Sequence, residues 1–567
     1  PPRTLAEETL ARMWADVLGL DRIGIESSFF ELGGHSLSAT RLLARLRHAL
    51  GVELSLRELF AMPSVAAIAP LVEARLRGGQ APSASLSRRP GGGKAPLSFP
   101  QERHWLLSRI APESPAYNVS KALRLRGRLD VRALAASLDA IVSRHEVLRT
   151  TFELAGETPV QVIAAAAPRP LPFVELRGLA PARREAAMLR LAESDALRPF
   201  ALDRGPLLRV ALVRLDAGEH VLLLCAHHIV CDAWSVSLLA EELGTFYAAA
   251  TAGLPPALPE LPIQYADFAL WQRGMLADGT LAAQLEYWRQ RLSGVQPLLE
   301  LPADRPRPAA ASHRTAACTV ALAPDLVRRL DLLSRAEGCT LYMVLLAGFK
   351  ALLAAYAGIE DVVVGSGIAN RTRVETERSI GCFANLLALR TDLSGDPTLR
   401  QLLARVRDTA LAAHAHQDLP FQTLLAALQL ERDPSYPPLS QVLFELHNTP
   451  PASLSLAGLE VSAVAPDRGA GDFDLALFVE ETAGRLVASL HYNVDLFLEA
   501  TAGRLLGSYE RLLAQAARDP DLALSRLAAP VRSEAPGAHG LAALFTGDLE
   551  APAAETSPGL AAGEAAG

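Results

Sequence analysis

The chain has 567 residues, length enough for three or four domains, and half of them are hydrophobic, which excludes general disorder. A formal net charge of −7 gives no reason to expect nucleic acid or an anionic membrane as partner. The five cysteines (225, 231, 318, 339 and 382) form no CxxC pair, which argues against a disulfide framework or a zinc site and fits a reducing cytoplasm.

The chain opens on Pro1-Pro2-Arg3, without Met or signal-peptide character, and reads as a piece of a longer polypeptide. No apolar run reaches the length of a membrane span. Residues 1–77 predict a small all-α bundle of four helices. Leu10, Met13, Trp14, Val17 and Leu18 share one face of a first helix from about Thr4 to Leu18. After Gly33-Gly34, Ser36 opens a second helix with Ala39, Leu42, Leu43, Leu46 and Leu50 apolar. Leu56–Phe60 is a short third element, and Ser64 caps a fourth running to about Arg75, which Pro70 should kink or interrupt. Ser36 would serve as an ordinary helix cap, but a phosphate ester on its hydroxyl would also sit at the positive helix end. No Lys-Ser/Thr follows the glycines, so this is not a P-loop. The stretch Phe29-Phe-Glu-Leu-Gly-Gly-His-Ser-Leu37 resembles the attachment site of peptidyl carrier proteins, which implies 4'-phosphopantetheine covalently on Ser36.

From 78 to 96 the composition turns to Gly, Ser, Pro, Ala and Arg with no hydrophobic period, which predicts a flexible linker. The segment 97–534 alternates strand-like runs (Val119–Leu125, Leu207–Leu215, Val221–Cys225, Val362–Gly365) with helical ones, an α/β mixture. Asp130 caps a helix over Val131–Arg144. Within this segment His227-His228-Ile-Val-Cys231-Asp232-Ala-Trp234-Ser235 joins an apolar strand to an amphipathic run from Trp234 to about Ala250. An imidazole that titrates near neutrality at such a turn suits proton transfer. Taken alone, a histidine pair is more often a core or surface feature, and Asp232 could simply cap the helix.

HHxxxDxW resembles the core motif of condensation domains of non-ribosomal peptide synthetases. The likeness extends to Leu97–Leu107, Arg144–Phe152, Tyr265–Trp271, Ile380–Asn385, His416–Phe421 and Arg432–Leu439. It implies two lobes, 97–265 and 266–534, each similar to chloramphenicol acetyltransferase and meeting in a V around a tunnel. The implied reaction is thioester aminolysis, forming an amide between the donor on Ser36 and an aminoacyl group on a downstream carrier. His228 would contact the attacking amine, as general base or as orienting group. His227 would support the turn, and Asp232 would pair with Arg371 or Arg149 to hold the loop. Trp234 and Ser235 would pack and start the helix, with N–H groups near Ala233 and Trp234 as oxyanion donors. No metal is implied. The implied partners are an upstream adenylation domain, a downstream aminoacyl carrier and a phosphopantetheinyl transferase, for a monomeric cytoplasmic chain.

Leu97–Trp105 and Arg144–Phe152, with Glu146, resemble the branch that accepts L-configured donors. Cys231, Ala233 and Leu386-Leu387 depart from the common pattern, and the extra methyl of Ala233 would narrow the tunnel or shift the helix. A covalent role for Cys231 is not expected, because a buried free Cys usually acts as a small hydrophobe. The alternatives are a non-catalytic recruitment module or another carrier- or coenzyme A-dependent acyltransferase. The heterocyclisation and epimerisation branches fit the motifs less well. Residues 535–567, rich in Ala, Gly, Pro and Glu, are expected to be a linker tail.

Overall fold

The first four helices are set by their ends. In the computed structural model, α1 (Leu5–Leu18) begins at Thr4, whose hydroxyl accepts the Glu7 N–H, and stops at Gly19 in the left-handed region. α2 (Ser36–Leu50), α3 (Leu56–Ala61) and α4 (Val65–Gly78) follow, and Leu10, Trp14, Leu42, Leu46, Ile68 and Val72 fill the space between them. α4 runs continuously through Pro70, where a kink or break was expected. The proline removes a single N–H donor, and packing on the bundle holds the remaining turns together. The structure describes residues 1–78, 86–91, 93–430, 433–447, 454–464, 471–482 and 484–527. The expected tail and Arg432 lie outside the described residues.

The linker expectation is corrected for its second half. Leu86 is buried, and the Arg89 guanidinium bridges Glu146 (2.7 Å) and Asp267 (2.9 Å). β1 (Lys94–Pro96) pairs with a strand some 65 residues later. Gly, Pro and Arg hid this order because the partners that create it are distant in sequence.

β1, β3 (Thr150–Ala155) and β4 (Thr158–Ile163) make a three-stranded sheet in the order β1-β4-β3. A five-stranded sheet has the order β12-β2-β7-β6-β5. It comprises β2 (Asn118–Gly127), β5 (Phe173–Glu175), β6 (Leu208–Asp216), β7 (Glu219–His227) and β12 (Leu459–Ala463). α5 (Phe99–Ile110), α6 (Val131–Arg144), α7 (Pro181–Leu197) and α8 (Ala233–Ala252) accompany these two sheets. α6 starts at Asp130, whose carboxylate accepts the Arg132 and Ala133 N–H groups.

After α9 (Tyr265–Ala277) and α10 (Ala282–Arg291) comes a six-stranded sheet with the order β10-β9-β11-β13-β14-β8. Its members are β8 (Thr315–Ala321), β9 (Asp361–Ile368), β10 (Asn385–Asp392), β11 (Val442–His447), β13 (Leu475–Thr482) and β14 (Arg485–Asn493). β11 runs parallel to both β9 and β13, and the other pairs are antiparallel. α11 (Pro324–Ala336), α12 (Leu341–Ala357), α13 (Leu399–Ala415), α14 (Phe421–Leu428) and α15 (Glu499–Ala516) belong to this second lobe. The lobes are not separate in space, because β12 comes from the second half of the chain and pairs with β2 of the first.

Candidate active site

β7 lies between β2 and β6, and every residue from His220 to His227 is buried. Its end is therefore held from both sides: the His227 N–H donates to the Leu207 carbonyl (2.9 Å) and the His228 N–H to the Tyr117 carbonyl (2.8 Å). A single 3₁₀ turn, His228–Val230, then leads to α8. His227 Nδ1 accepts the Ile229 N–H (3.1 Å), the supporting bond expected of it.

Asp232 is the N-cap of α8, accepting the Ser235 N–H (2.8 Å) and hydroxyl (2.7 Å) on Oδ1. The same carboxylate takes Arg371 Nη2 (3.2 Å) and, on Oδ2, the Phe383 N–H (3.0 Å). Cap and ion pair are thus one structure. Asp232 and Arg371 are 2% and 3% exposed, so neither charge has water as an alternative partner. Arg371 also donates to the Thr376 and Ser379 carbonyls and lies 4.1 Å over the Phe383 ring. Arg149, the other arginine considered for this role, is elsewhere: it donates to the Ala164 carbonyl and lies 3.9 Å from Glu146. Trp234 Nε1 donates to the Glu377 carbonyl (2.9 Å), so the turn and the segment 371–383 hold each other across the lobes.

His228 is partly exposed although protein surrounds its ring, the disposition of a group that faces an opening. Burial lowers its pKa, opposed by the Asp232 charge, so the ring is neutral at pH 7. Cys382 approaches the Nδ1 side of the ring, and among the described residues no hydrogen bond engages Nε2, which is left for a substrate. Burial holds His227 down to about 3. His104, on α5, stacks on the His228 ring (5.0 Å between centroids) and meets the edge of Tyr117 (4.9 Å). Cys382 Sγ lies 3.7 Å from His228 Nδ1. Tyr117 and Arg103 both reach Asp472 (3.0 and 3.1 Å) of the second lobe.

Ser36 is the first residue of α2, half-buried, and the cap is its neighbour: His35 Nδ1 accepts the Ser38 N–H, while the Ser38 hydroxyl accepts that of His35. No hydrogen bond engages the Ser36 hydroxyl among the described residues, so it is not the cap and is available for esterification. Gly33 has φ +94°, and a Cβ on Gly34 would collide with the Phe29 ring, so the bend before Ser36 admits only glycine at both places. α2 lies against residues 372–377. Arg41 and Arg45 are 3.8 and 3.7 Å from Glu377, His48 is 3.7 Å from Glu375, and Arg47 reaches the Thr372 carbonyl.

Residues 92–535 match the family model described as condensation domain, and residues 8–72 that described as phosphopantetheine attachment site. The chain belongs to the condensation-domain family. Its first domain is of the kind that carries covalent phosphopantetheine. A linear gramicidin synthase chain of Brevibacillus parabrevis is 49% identical over 522 residues, 92% of this chain and 7% of that protein. The dimodular nonribosomal peptide synthase of Bacillus subtilis (strain 168) is 41% identical over 537 residues, 93% of this chain and 22% of that protein. The chain thus spans less than a quarter of these relatives and is a carrier–condensation segment of a non-ribosomal peptide synthetase. Among solved structures, the X-domain of teicoplanin biosynthesis in its complex with OxyB aligns with a TM-score of 0.72 at 32% identity, covering 79% of this chain and 99% of that one. The condensation domain of the Monacolin K polyketide synthase MokA aligns with a TM-score of 0.66 at 24% identity, covering 76% and 100%, a likeness of fold.

The other stretches of the condensation domain are clasps around the turn. Gly381 presses on Tyr265, leaving no room for a Cβ, and the Tyr265 hydroxyl donates to the Cys382 carbonyl (2.6 Å). Asn385 accepts the Phe421 N–H and donates to the Gln417 and Leu419 carbonyls, tying two stretches together. Of the departures, Ala233 is exposed at the first position of α8, whose cap at Asp232 is intact. Cys231 is buried, and burial raises its thiol far above the reactive range. His104 and Asp472 escape sequence reasoning: the first is one letter among many in a matching stretch, and the second stands in no motif.

Proposed function

We propose that the chain forms an amide bond between an acyl group held on Ser36 and the α-amine of an aminoacyl group on a downstream carrier. The observation that carries this reading is the neutral, half-exposed His228 on a turn that both lobes clamp through Asp232 and Arg371. Phosphopantetheine on Ser36, when present, supplies the thiol that holds the donor as a reactive thioester. The residues do the rest. His228 offers Nε2 to the amine, orienting its lone pair on the donor carbonyl and accepting its proton as the C–N bond forms; the C–S bond breaks, and the proton passes to the departing thiolate. His227 and Asp232 do not react; they fix the ring and the start of α8. Burial of the clamp keeps these positions from relaxing between the free and the bound states.

The donor, on this reading, ends in an L-configured residue. Glu146, which marks that branch, holds Arg89 of the segment leading from the carrier, so its role is in arranging that segment. An adenylation domain loads the carrier, a phosphopantetheinyl transferase modifies Ser36, and the chain acts as a cytoplasmic monomer. Among the described residues no single helix is long and apolar enough to cross a membrane.

The likeness to the X-domain supports one competing reading, a recruitment module without chemistry. Intact-mass analysis separates the two: acyl-loaded chain mixed with an aminoacylated downstream carrier should transfer its acyl group. No transfer to any acceptor, with loading intact, would leave recruitment as the function. Matched L- and D-terminated donors test the stereochemical part, and equal rates would refute it.

A further inference from the structure

We infer that His104, His228 and Cys382 form a binding site for one borderline-soft divalent cation of the Zn²⁺ type, and that its occupation switches condensation off. One donor atom from each residue lies within 4.8 Å of the other two. No other group of three such ligands lies among the described residues. The 3.7 Å between Cys382 Sγ and His228 Nδ1 is close to the ~3.5 Å that tetrahedral zinc imposes on a nitrogen and a sulfur, given Zn–N of ~2.0 Å and Zn–S of ~2.3 Å. His104 supplies the second, independent sign. It is 5% exposed, and its Nδ1 is a buried atom with no hydrogen-bond partner among the described residues, although the ring is stacked on His228. Such an atom is costly to bury unless something binds it.

Two imidazoles and one thiolate select zinc, cobalt or copper over magnesium and calcium, which prefer oxygen. Each neutral imidazole offers one nitrogen lone pair, and Cys382 offers its sulfur. The Cys382 thiol must give its proton to solvent, and water fills the remaining coordination. The net change is one cation bound and one proton released. The charged and titratable groups that face these ligands are Asp232 and Cys231 from the turn, Arg371, Arg103 from α5, Glu445 from β11 and His227. Asp232 and Arg371 neutralise each other, and Arg103 is paired with Asp472, so none opposes the cation strongly.

The inhibition follows from proton placement. A cation on His228 Nδ1 leaves the single proton of the neutral ring on Nε2, the atom that would accept the amine proton. This inhibition rests on the proposed function; the binding does not.

The test uses the intact chain stripped of metal with a chelator. Cobalt should bind at one equivalent with a thiolate charge-transfer band, and zinc should displace it. Affinity should rise about tenfold per pH unit near neutrality, because one proton is displaced. Cys382→Ser should abolish the band, and His104→Leu should weaken binding by no less than the ~10–100-fold that loss of an outer partner costs. X-ray absorption of the one-equivalent zinc complex of the unaltered chain should show one sulfur and two imidazoles, which decides the matter even if a variant fails to fold. A shell without sulfur, or unchanged binding in both variants, overturns the site. With the site present, zinc should halt amide formation and the chelator restore it. Stoichiometric binding without inhibition would overturn the switch and leave the binding.

Discussion

The catalytic turn and the seam between carrier and condensation domain are built on opposite principles. At the turn, the buried charges are held by short bonds: Asp232 accepts four donors, and Arg371 serves three backbone or side-chain acceptors besides. At the seam, charges face one another at 3.7–3.8 Å without a hydrogen bond, on side chains that solvent still reaches. A buried network of the first kind gives one geometry, because losing any member strands the rest. Partly exposed pairs of the second kind, loosely held at such distances, are worth roughly 0.2–1 kcal/mol each and are screened by salt, so they can be made and broken repeatedly. A site that must hold a proton acceptor still, fed by a carrier that must leave, needs both kinds of contact.

The largest effect expected is at His228. His228→Ala should lower amide formation ~100- to 10,000-fold, the usual cost of a positioned base. Modification of Ser36 by a phosphopantetheinyl transferase should be unchanged, as followed by intact mass. A normal rate in this variant would remove His228 from the chemistry and leave the turn purely architectural. Next comes the clamp. Asp232→Ala leaves Arg371 buried and unpaired, which should cost about 3–5 kcal/mol in urea unfolding. If the pair matters mainly through that stranded charge, Asp232→Ala combined with Arg371→Met should unfold at higher urea than Asp232→Ala alone.

Acid should then weaken the turn before the seam. An unfolded histidine takes up a proton near 6.5, whereas His227 in place is held down to about 3, and His104 and His228 are also lowered. The unfolded chain therefore binds more protons below 6.5, and the stability these rings contribute is full above that pH and lost progressively as pH falls. Melting temperatures from pH 7.5 downward should fall, and His227→Asn should flatten the slope below about 6.5. The smallest effect belongs to the seam: Glu377→Lys should weaken carrier docking a few-fold, read by energy transfer between labels on α2 and the condensation domain. Arg41→Glu in the same chain should recover part of it, and about 0.5 M salt should make the unaltered chain resemble the variant. A salt-independent seam would show that apolar contact, such as α3 on α13, holds the carrier instead.

Helices and their caps are legible in residue order, because capping and periodicity act over three or four residues: Asp130, Thr4 and the amphipathic faces of the carrier all announce themselves locally. The histidine turn is marked in the same way, since strand, tight turn and capped helix are contiguous there. The cap of α2 lies one residue before its expected place, as His35 is an uncommon cap that borrows Ser38 to close the box. Choosing Arg371 over Arg149 for Asp232 needed the fold, because both arginines are distant in sequence and only one lies across the lobe junction. The docking of Leu86, Arg89 and β1, the strand β12 that crosses to the other lobe, and the meeting of His104, His228 and Cys382 likewise emerge only once the chain is folded. Each joins residues from 57 to more than 300 positions apart, and the pairing of distant groups leaves no local periodicity to read.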